Sequence, residues 1–231
     1  MKLFVDEIKK FYKKLIEGKP FAFSKYADGE WQSMQGCTLN NGEFQANPQA
    51  VHSVKLLIES FKYTDDEYYV GISCPCCQGE DHQKMIEFSC QDNNHLTFAN
   101  IFVNSNYDFF VNNYIPMFKN YSVHLVANEN SRINNLPFEV EKFYPIGYNA
   151  WVNNLNLIEK IQKEKLSGKL FLFCCGPFGN VLSHQLWKDN KNNIYMDIGS
   201  TLNPLLGTEG FRRSYFNPNS PCRKKVCVWS N

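Results

Sequence analysis

Two carboxylates in the segment Ala27-Asp28-Gly29-Glu30 are the clearest candidates for chemistry in this sequence. Gly29 allows the backbone to turn between Asp28 and Glu30, so that both side chains can reach one hard cation. Mg²⁺ and Mn²⁺ suit such a pair, because these ions take one or two carboxylates together with water or phosphate oxygens. Asp-Gly is also a common turn dipeptide, so the same residues fit an ordinary polar turn.

A second candidate is the glycine-containing turn Cys174-Cys175-Gly176-Pro177-Phe178-Gly179-Asn180. It would aim backbone N–H groups and a helix N-terminus at a ligand above the neighbouring strand ends, which suits a phosphate. It lacks both the Gly-Lys-Ser/Thr of a P-loop and the GxGxxG of dinucleotide sites, so a purely structural turn fits equally well. Asp197 supplies a third carboxylate, able to hold a ribose hydroxyl or a metal, to accept a proton, or to cap the following loop.

Three thiols crowd the segment Cys74-Pro75-Cys76-Cys77, and His82, Cys90 and His95 follow it. These are zinc-ligand residue types, but the spacing lacks the paired CxxC pattern of common structural zinc sites. The pattern therefore favours free thiols in a loop over a zinc site.

Basic and aromatic residues alternate near the C-terminus. They are Arg212, Arg213, Arg223, Lys224 and Lys225, with Phe211, Tyr215 and Phe216. Such a segment could cover a diphosphate, bind a single-stranded nucleic acid, or form a solvated basic surface. The net charge of the chain is only +1, so no wider basic field supports a nucleic acid, and we expect no nucleic-acid partner.

Hydrophobic periodicity places the carboxylates and the glycine turn at strand ends. Strands are predicted over residues 21–26, 68–73, 121–127, 140–144, 169–175 and 194–198, and helices over residues 4–15, 47–61, 151–165 and 181–188. Residues 74–94 look irregular and polar. The alternation of strands and helices predicts an α/β, Rossmann-like fold with a mostly parallel sheet flanked by helices. Open sheets of this kind bind ligands outside the carboxyl ends of their strands.

The composition fits a single domain over residues 1–231, with residues 201–231 as a loop-rich C-terminal tail. Of the 231 residues, 43% are apolar and 20% charged, enough for one substantial core. No apolar stretch approaches the roughly 20 residues that span a bilayer, and charged residues interrupt the N-terminal segment where a signal peptide is apolar. Nine cysteines, an odd number, favour reduced thiols and a cytoplasmic location.

Four segments, in this order, resemble those of the GT-D glycosyltransferases, a Rossmann-like family first described as a domain of unknown function. Residues 23–30 resemble the family's Arg-Tyr-Gly-Asp-Gly-Glu signature with its Asp-x-Glu motif. Residues 144–150 resemble its Pro-x-x-Asn-Ala segment, residues 171–182 its strand, Gly-Pro turn and helix, and residues 196–200 its Asp-Ile-Gly ending. This chain has Lys25 in place of the usual Arg and Ala27 in place of Gly; lysine lacks the bidentate fork of arginine.

The resemblance implies a metal-dependent enzyme that transfers a hexose or deoxyhexose from a nucleotide sugar, with UDP as the expected nucleotide, to a glycan or glycoconjugate acceptor. Asp28 and Glu30 would hold Mn²⁺ or Mg²⁺ and act in catalysis, and Asp197 would line the donor pocket. An inverting transfer also needs a base near the acceptor hydroxyl. We assign that base to Asp197, because the other two carboxylates bind the metal and no histidine lies in a matching segment. The residues expected to bind the donor are Lys25, Tyr26, Gly29, Asn149, Gly176, Asn180, Arg212 and Arg213. Two alternatives remain open: another Rossmann-type transferase such as a methyltransferase, and a non-catalytic nucleotide- or carbohydrate-binding module.

Overall fold

A seven-stranded parallel sheet forms the centre of the protein in a computed structural model that describes residues 2–40, 44–208 and 213–229. The strands are β1 (Phe21–Lys25), β2 (Leu39–Asn40), β3 (Gln45–Ala46), β4 (Tyr68–Ile72), β5 (Leu96–Phe98), β6 (Val123–Asn128), β7 (Val140–Ile146), β8 (Leu170–Cys174) and β9 (Ile194–Asp197). β2 and β3 form a small antiparallel ribbon, and the others form the sheet in the order β5-β4-β1-β9-β8-β6-β7. The predicted Rossmann-like α/β fold is confirmed.

Helices cover the sheet. They are α1 (Phe4–Ile16), α2 (Asp28–Met34), α3 (Val51–Lys62), α4 (Pro75–Gln78), α5 (Asp81–Ser89), α6 (Tyr107–Phe109), α7 (Ile115–Phe118), α8 (Ala150–Asn153), α9 (Asn156–Lys163), α10 (Pro177–Asp189), α11 (Asn203–Leu206) and α12 (Pro221–Lys224). A π-helical turn, Phe110–Tyr114, joins α6 to α7. No helix in the described part of the chain has both the length and the apolar character needed to cross a bilayer.

The strands of the sheet carry the core because both of their faces are covered. All five residues of β4 are buried, and the central strands read as continuous apolar runs, as expected for a parallel sheet between helix layers. The predicted apolar face of α1, formed by Phe4, Ile8, Phe11 and Leu15, is buried. Helix α10 packs against β1, β9 and α3 and is buried over most of its length.

A buried polar network fixes the end of β1. The Tyr26 hydroxyl donates to Ser60 Oγ (2.7 Å) and accepts from Ser24 Oγ (3.1 Å). The Asn180 amide donates to Ser24 Oγ (3.1 Å) and to the Lys25 carbonyl (2.6 Å). Because these groups belong to β1, α3 and α10, the network holds the carboxyl end of β1 in a fixed position between the two helices.

Two of the predicted elements differ from the structure. Residues 74–94, expected to be irregular, contain α4 and α5; the buried face of α5 includes His82 and Ser89, so its apolar periodicity is weak. The helix predicted over residues 151–165 is divided into α8 and α9, because Asn154 leaves the helical conformation (φ −117°, ψ 20°).

Candidate active site

A cleft of about 520 Å³ opens at the carboxyl ends of the parallel strands, where open α/β sheets bind their ligands. Its lining residues come from the ends of β1, β6, β7, β8 and β9, from the loops that follow them, and from the C-terminal segment, residues 213–229. They include Lys25, Asp28, Gly29, Glu30, Phe44, Asn100, Asn128, Asn130, Ser131, Tyr148, Cys174, Cys175, Gly176, Gly199, Ser200, Arg213 and Tyr215.

The two predicted metal-binding carboxylates occupy the first turn of α2, directly after β1. Asp28 is exposed in the cleft, whereas Glu30 is 6% exposed and its Oε2 accepts the backbone N–H of Ala27 (3.0 Å), which caps the helix. Within the described residues, Asp28 and Glu30 do not belong to a cluster of three metal-ligating side chains. Two carboxylates nevertheless suit Mg²⁺ or Mn²⁺, because these ions complete their octahedral shell with phosphate and water oxygens.

Lys25, the last residue of β1, lies across Gly199, which follows β9. A Cβ atom added to Gly199 would lie 2.3 Å from Lys25 Cε and would displace the end of that side chain, and the φ of +55° at Gly199 favours glycine. Burial disfavours the charged ammonium, but the carboxylates of Asp197 and Glu30 outweigh this effect and raise the pKa of Lys25. Lys25 is therefore a fixed positive charge in the cleft.

Asp197 lies beneath the floor of the cleft. It is 1% exposed and is not one of the lining residues. Its Oδ1 accepts the Gly199 N–H (3.1 Å), its Oδ2 has no hydrogen-bond partner, and its carboxyl group packs against Gly179. Burial raises the pKa of Asp197 to about 7, although the Lys25 ammonium acts in the opposite direction. The structure therefore places the predicted base, Asp197, outside the lining of the cleft, where its charge acts on Lys25.

The turn after β8 also borders the cleft, as the sequence predicted. Gly176 has a φ of +56° and precedes Pro177, the first residue of the 13-residue helix α10. A helix N-terminus carries partial positive charge and favours an anion nearby. The adjacent thiols of Cys174 and Cys175 have pKa values raised by burial, so they are neutral and unsuited to nucleophilic attack.

Three residues predicted to bind the donor support the cleft instead of lining it. Tyr26 and Asn180 are fully buried in the polar network of β1. Asn149 has a φ of +56°, and its Oδ1 accepts from the Gln45 N–H (3.0 Å) and from Trp151 Nε1 (2.9 Å). The structure thus gives each of these polar side chains a partner within the protein, and it does not bring them to the cleft.

The basic residues of the C-terminal segment have different positions. Arg213 lines the cleft, and the predicted Arg212 lies outside the described residues. Arg223 instead forms an ion pair with Asp108 (2.5 Å) and donates to the Tyr215 carbonyl (3.2 Å). Arg223 therefore holds the segment in place, while Arg213 faces the site.

Several polar cleft residues were not among the predicted ones. Asn128 is the last residue of the strong strand β6, Asn130 lies just beyond it, and Tyr148 follows β7. A position at or just beyond the end of a strand is the same signal that singled out Asp28 and Asp197, and it could have identified them. Tyr215, whose hydroxyl lies 2.5 Å from Ser200 Oγ, belongs to the basic and aromatic segment that the sequence singled out, although it has no strand-end signal.

Comparison with solved structures identifies the class of fold. The chain matches a structure described as "The highly conserved domain of unknown function 1792 has a distinct glycosyltransferase fold", with a TM-score of 0.61, 16% identity, and coverage of 85% of this chain and 77% of that one. It also matches "A New Glycosyltransferase (DUF1792) from Streptococcus sanguinis", with a TM-score of 0.60, 13% identity, and coverage of 97% and 93%. A selenomethionine-substituted structure of the same domain matches with a TM-score of 0.58 and 18% identity, covering 85% and 77%.

The chain thus has the glycosyltransferase fold of the domain of unknown function 1792. This agrees with the fold implied by the resemblance to the GT-D family. Scanning the sequence against protein-family models finds no match, and searching the curated proteins finds none.

Proposed function

We propose that this protein is a metal-dependent glycosyltransferase that uses a nucleotide-sugar donor. The observation that carries the proposal is the cleft at the carboxyl ends of the strands, which combines two carboxylates with fixed positive charge in a fold shared with glycosyltransferases. Asp28 and Glu30 border the cleft on one element, and Lys25 and the N-terminus of α10 supply the positive charge. A nucleoside diphosphate complements this arrangement, because it is anionic and also provides oxygens for a cation.

Asp28 and Glu30 would hold Mn²⁺ or Mg²⁺ in this reaction. The bound cation would offset the negative charge that develops on the departing diphosphate. Lys25 contributes to the same stabilisation as a preformed charge that needs no reorganisation during the reaction. Arg213 lies in the cleft-lining part of the C-terminal segment and is suited to contact the same phosphates.

Asp197 is assigned the role of a positioning residue in this proposal. Its carboxylate raises the pKa of Lys25, and its side chain is buried and does not line the cleft. To act as the predicted acceptor base, Asp197 would first have to become accessible from the cleft. The observed packing favours the indirect role.

The sugar and its acceptor would meet the amide-rich side of the cleft. Asn100, Asn128, Asn130 and Ser131 offer both donors and acceptors, which suits the hydroxyl groups of a hexose or deoxyhexose. Tyr148 is 44% exposed at the same cleft, and its ring could stack on a nucleobase or a sugar. A UDP-sugar donor and a glycan or glycoconjugate acceptor are the proposed substrates.

Binding of nucleotides, measured by calorimetry, tests the proposal. The ligands are UDP, GDP, CMP and S-adenosylmethionine, each with added Mn²⁺ and in metal-free buffer, followed by hydrolysis and transfer assays with UDP-sugars. We expect Mn²⁺-dependent binding of UDP, lost in Asp28→Asn and unchanged in Asp66→Asn. Asp66 is a matched control, because it is an exposed aspartate at the opposite, amino-terminal edge of the sheet, just before β4.

Each other outcome contradicts part of the proposal. Binding of UDP-sugars without hydrolysis or transfer to any tested acceptor would favour a non-catalytic binding module. Binding of S-adenosylmethionine instead of nucleotides would favour a methyltransferase. Equal UDP binding by Asp28→Asn and the intact protein would overturn the metal assignment.

A further inference from the structure

Four cysteine sulfurs meet at a second site formed by the segment after β4 and the C-terminal segment. Cys74 precedes α4, Cys76 and Cys77 lie within it, and Cys227 comes from the opposite end of the chain. Their four Sγ atoms all lie within 4.8 Å of one another. Cys74 and Cys227 are buried, and Cys76 and Cys77 are exposed. Among the described residues, this is the one cluster with three or more potential metal ligands.

The geometry of the cluster matches a closed tetrahedral metal site. Four thiolates at the usual Zn–S distance of about 2.3 Å lie about 3.8 Å apart, within the span observed here. The sulfurs of Cys74 and Cys76 lie 2.9 Å apart, whereas a disulfide bond measures about 2.05 Å. Soft thiolate ligands select zinc over the hard cations that suit the carboxylates of the cleft.

The surroundings of the cluster suit bound thiolates. Asn100 Nδ2 donates to Cys77 Sγ (3.2 Å), and Asn104 Nδ2 donates to Cys227 Sγ (3.4 Å). Hydrogen bonds of this kind orient metal-bound sulfur and stabilise its charge. Lys225 Nζ donates to the Cys76 carbonyl (2.5 Å), so a cation stands beside a centre that would carry net negative charge with four thiolates around Zn²⁺.

We propose that Cys74, Cys76, Cys77 and Cys227 bind one structural Zn²⁺ ion that fastens the C-terminal segment to the sheet. The thiol protons are released to solvent when the metal binds. With four protein ligands the site has no open position for a substrate, so its role is structural.

The C-terminal segment connects this site to the cleft. Beyond Cys227, Trp229 packs edge-on against His82 and Phe98, and Val228 pairs with Leu3. Before Cys227, the same segment supplies Arg213 and Tyr215 to the cleft lining. The zinc ion would thus fix a segment that borders the candidate active site, whichever ligand the cleft binds.

Metal content measured by mass spectrometry tests the site. We expect one Zn²⁺ per chain in the intact protein, which has been purified without added metal and dialysed against zinc-free buffer. Cys76→Ser and Cys77→Ser should lose the ion while keeping a native far-ultraviolet circular dichroism spectrum, because both side chains are exposed. Cys222→Ser is the matched control; it lies in the same C-terminal segment outside the cluster and should keep the ion.

A second measurement does not depend on the folding of any variant. Zinc in the intact protein is replaced by Co²⁺, and the visible spectrum should have the strong bands of tetrahedral thiolate coordination. Folded protein that contains no zinc and gives no such spectrum would overturn the proposal. An intact mass lower by two hydrogens, with a disulfide mapped among these four cysteines, would also overturn it, as would full zinc retention in both Cys76→Ser and Cys77→Ser.

Discussion

Asp197 should make the protein less stable as the pH rises through the neutral range. Its pKa is raised from the ordinary 3.8 to about 7 by burial, with the Lys25 ammonium offsetting part of the effect. Between these two values the folded state holds a proton that the unfolded state has released. Because the folded state then binds more protons, the free energy of unfolding falls with rising pH. The full shift corresponds to about 4 kcal/mol, reached once the pH exceeds the folded pKa.

The substitution Asp197→Asn isolates this contribution. Asparagine keeps the shape and the Oδ1 that accepts from Gly199, but it has no proton to lose. Relative to Asp197→Asn, the intact protein should lose about 2.5 kcal/mol of stability between about pH 5 and about pH 8, from the linkage between pKa and stability. Urea unfolding at several pH values measures the difference, and titrating groups that do not interact with Asp197 cancel in the comparison.

Asp189→Asn provides the matched control, since Asp189 is an exposed aspartate of α10. Its stability curve should run parallel to that of the intact protein. If Asp197→Asn also ran parallel over this pH range, the pKa of Asp197 would not be raised in the folded protein, and the stated effect of its burial would be wrong.

Three further perturbations test the packing and charge of the site. Gly199→Ala should lower Tm more than Gly36→Ala does, because both positions have positive φ but only at Gly199 would the added Cβ lie 2.3 Å from Lys25 Cε and displace that side chain; equal losses would refute the close approach of Lys25 to Gly199. Lys25→Met should weaken UDP binding about 10- to 100-fold, as expected for a charged hydrogen bond, whereas the exposed Lys188→Met should not change the affinity measured by calorimetry. Burial lowers the pKa of His184 to about 4, so the intact protein should gain stability relative to His184→Gln as the pH rises from about 4 to about 6.5, and urea unfolding of the two proteins measures this difference.

Much of the architecture could be predicted from local sequence patterns. The apolar spacing in α1 predicted which face of the helix is buried, and the apolar runs of β4 and β8 predicted strands buried on both faces. The residues that follow β1 and β8 were predicted to lie at the carboxyl edge of the sheet, and the structure places Asp28 and Gly176 there. β5 has only three residues and α5 buries polar side chains, so neither has a clear periodic pattern, and neither was predicted.

The roles of individual polar side chains were decided by tertiary structure. Sequence position alone does not distinguish Asp28, which lines the cleft, from Asp197, which is buried outside its lining, because the direction of each side chain depends on elements far along the chain. The same holds for the thiols of Cys74 to Cys77. Their spacing argued against zinc, and the fourth sulfur, from Cys227, joins them only because the C-terminal segment folds back onto the sheet. Local sequence patterns determine which surfaces are buried. Side chains from distant parts of the chain come together only when those surfaces pack against one another.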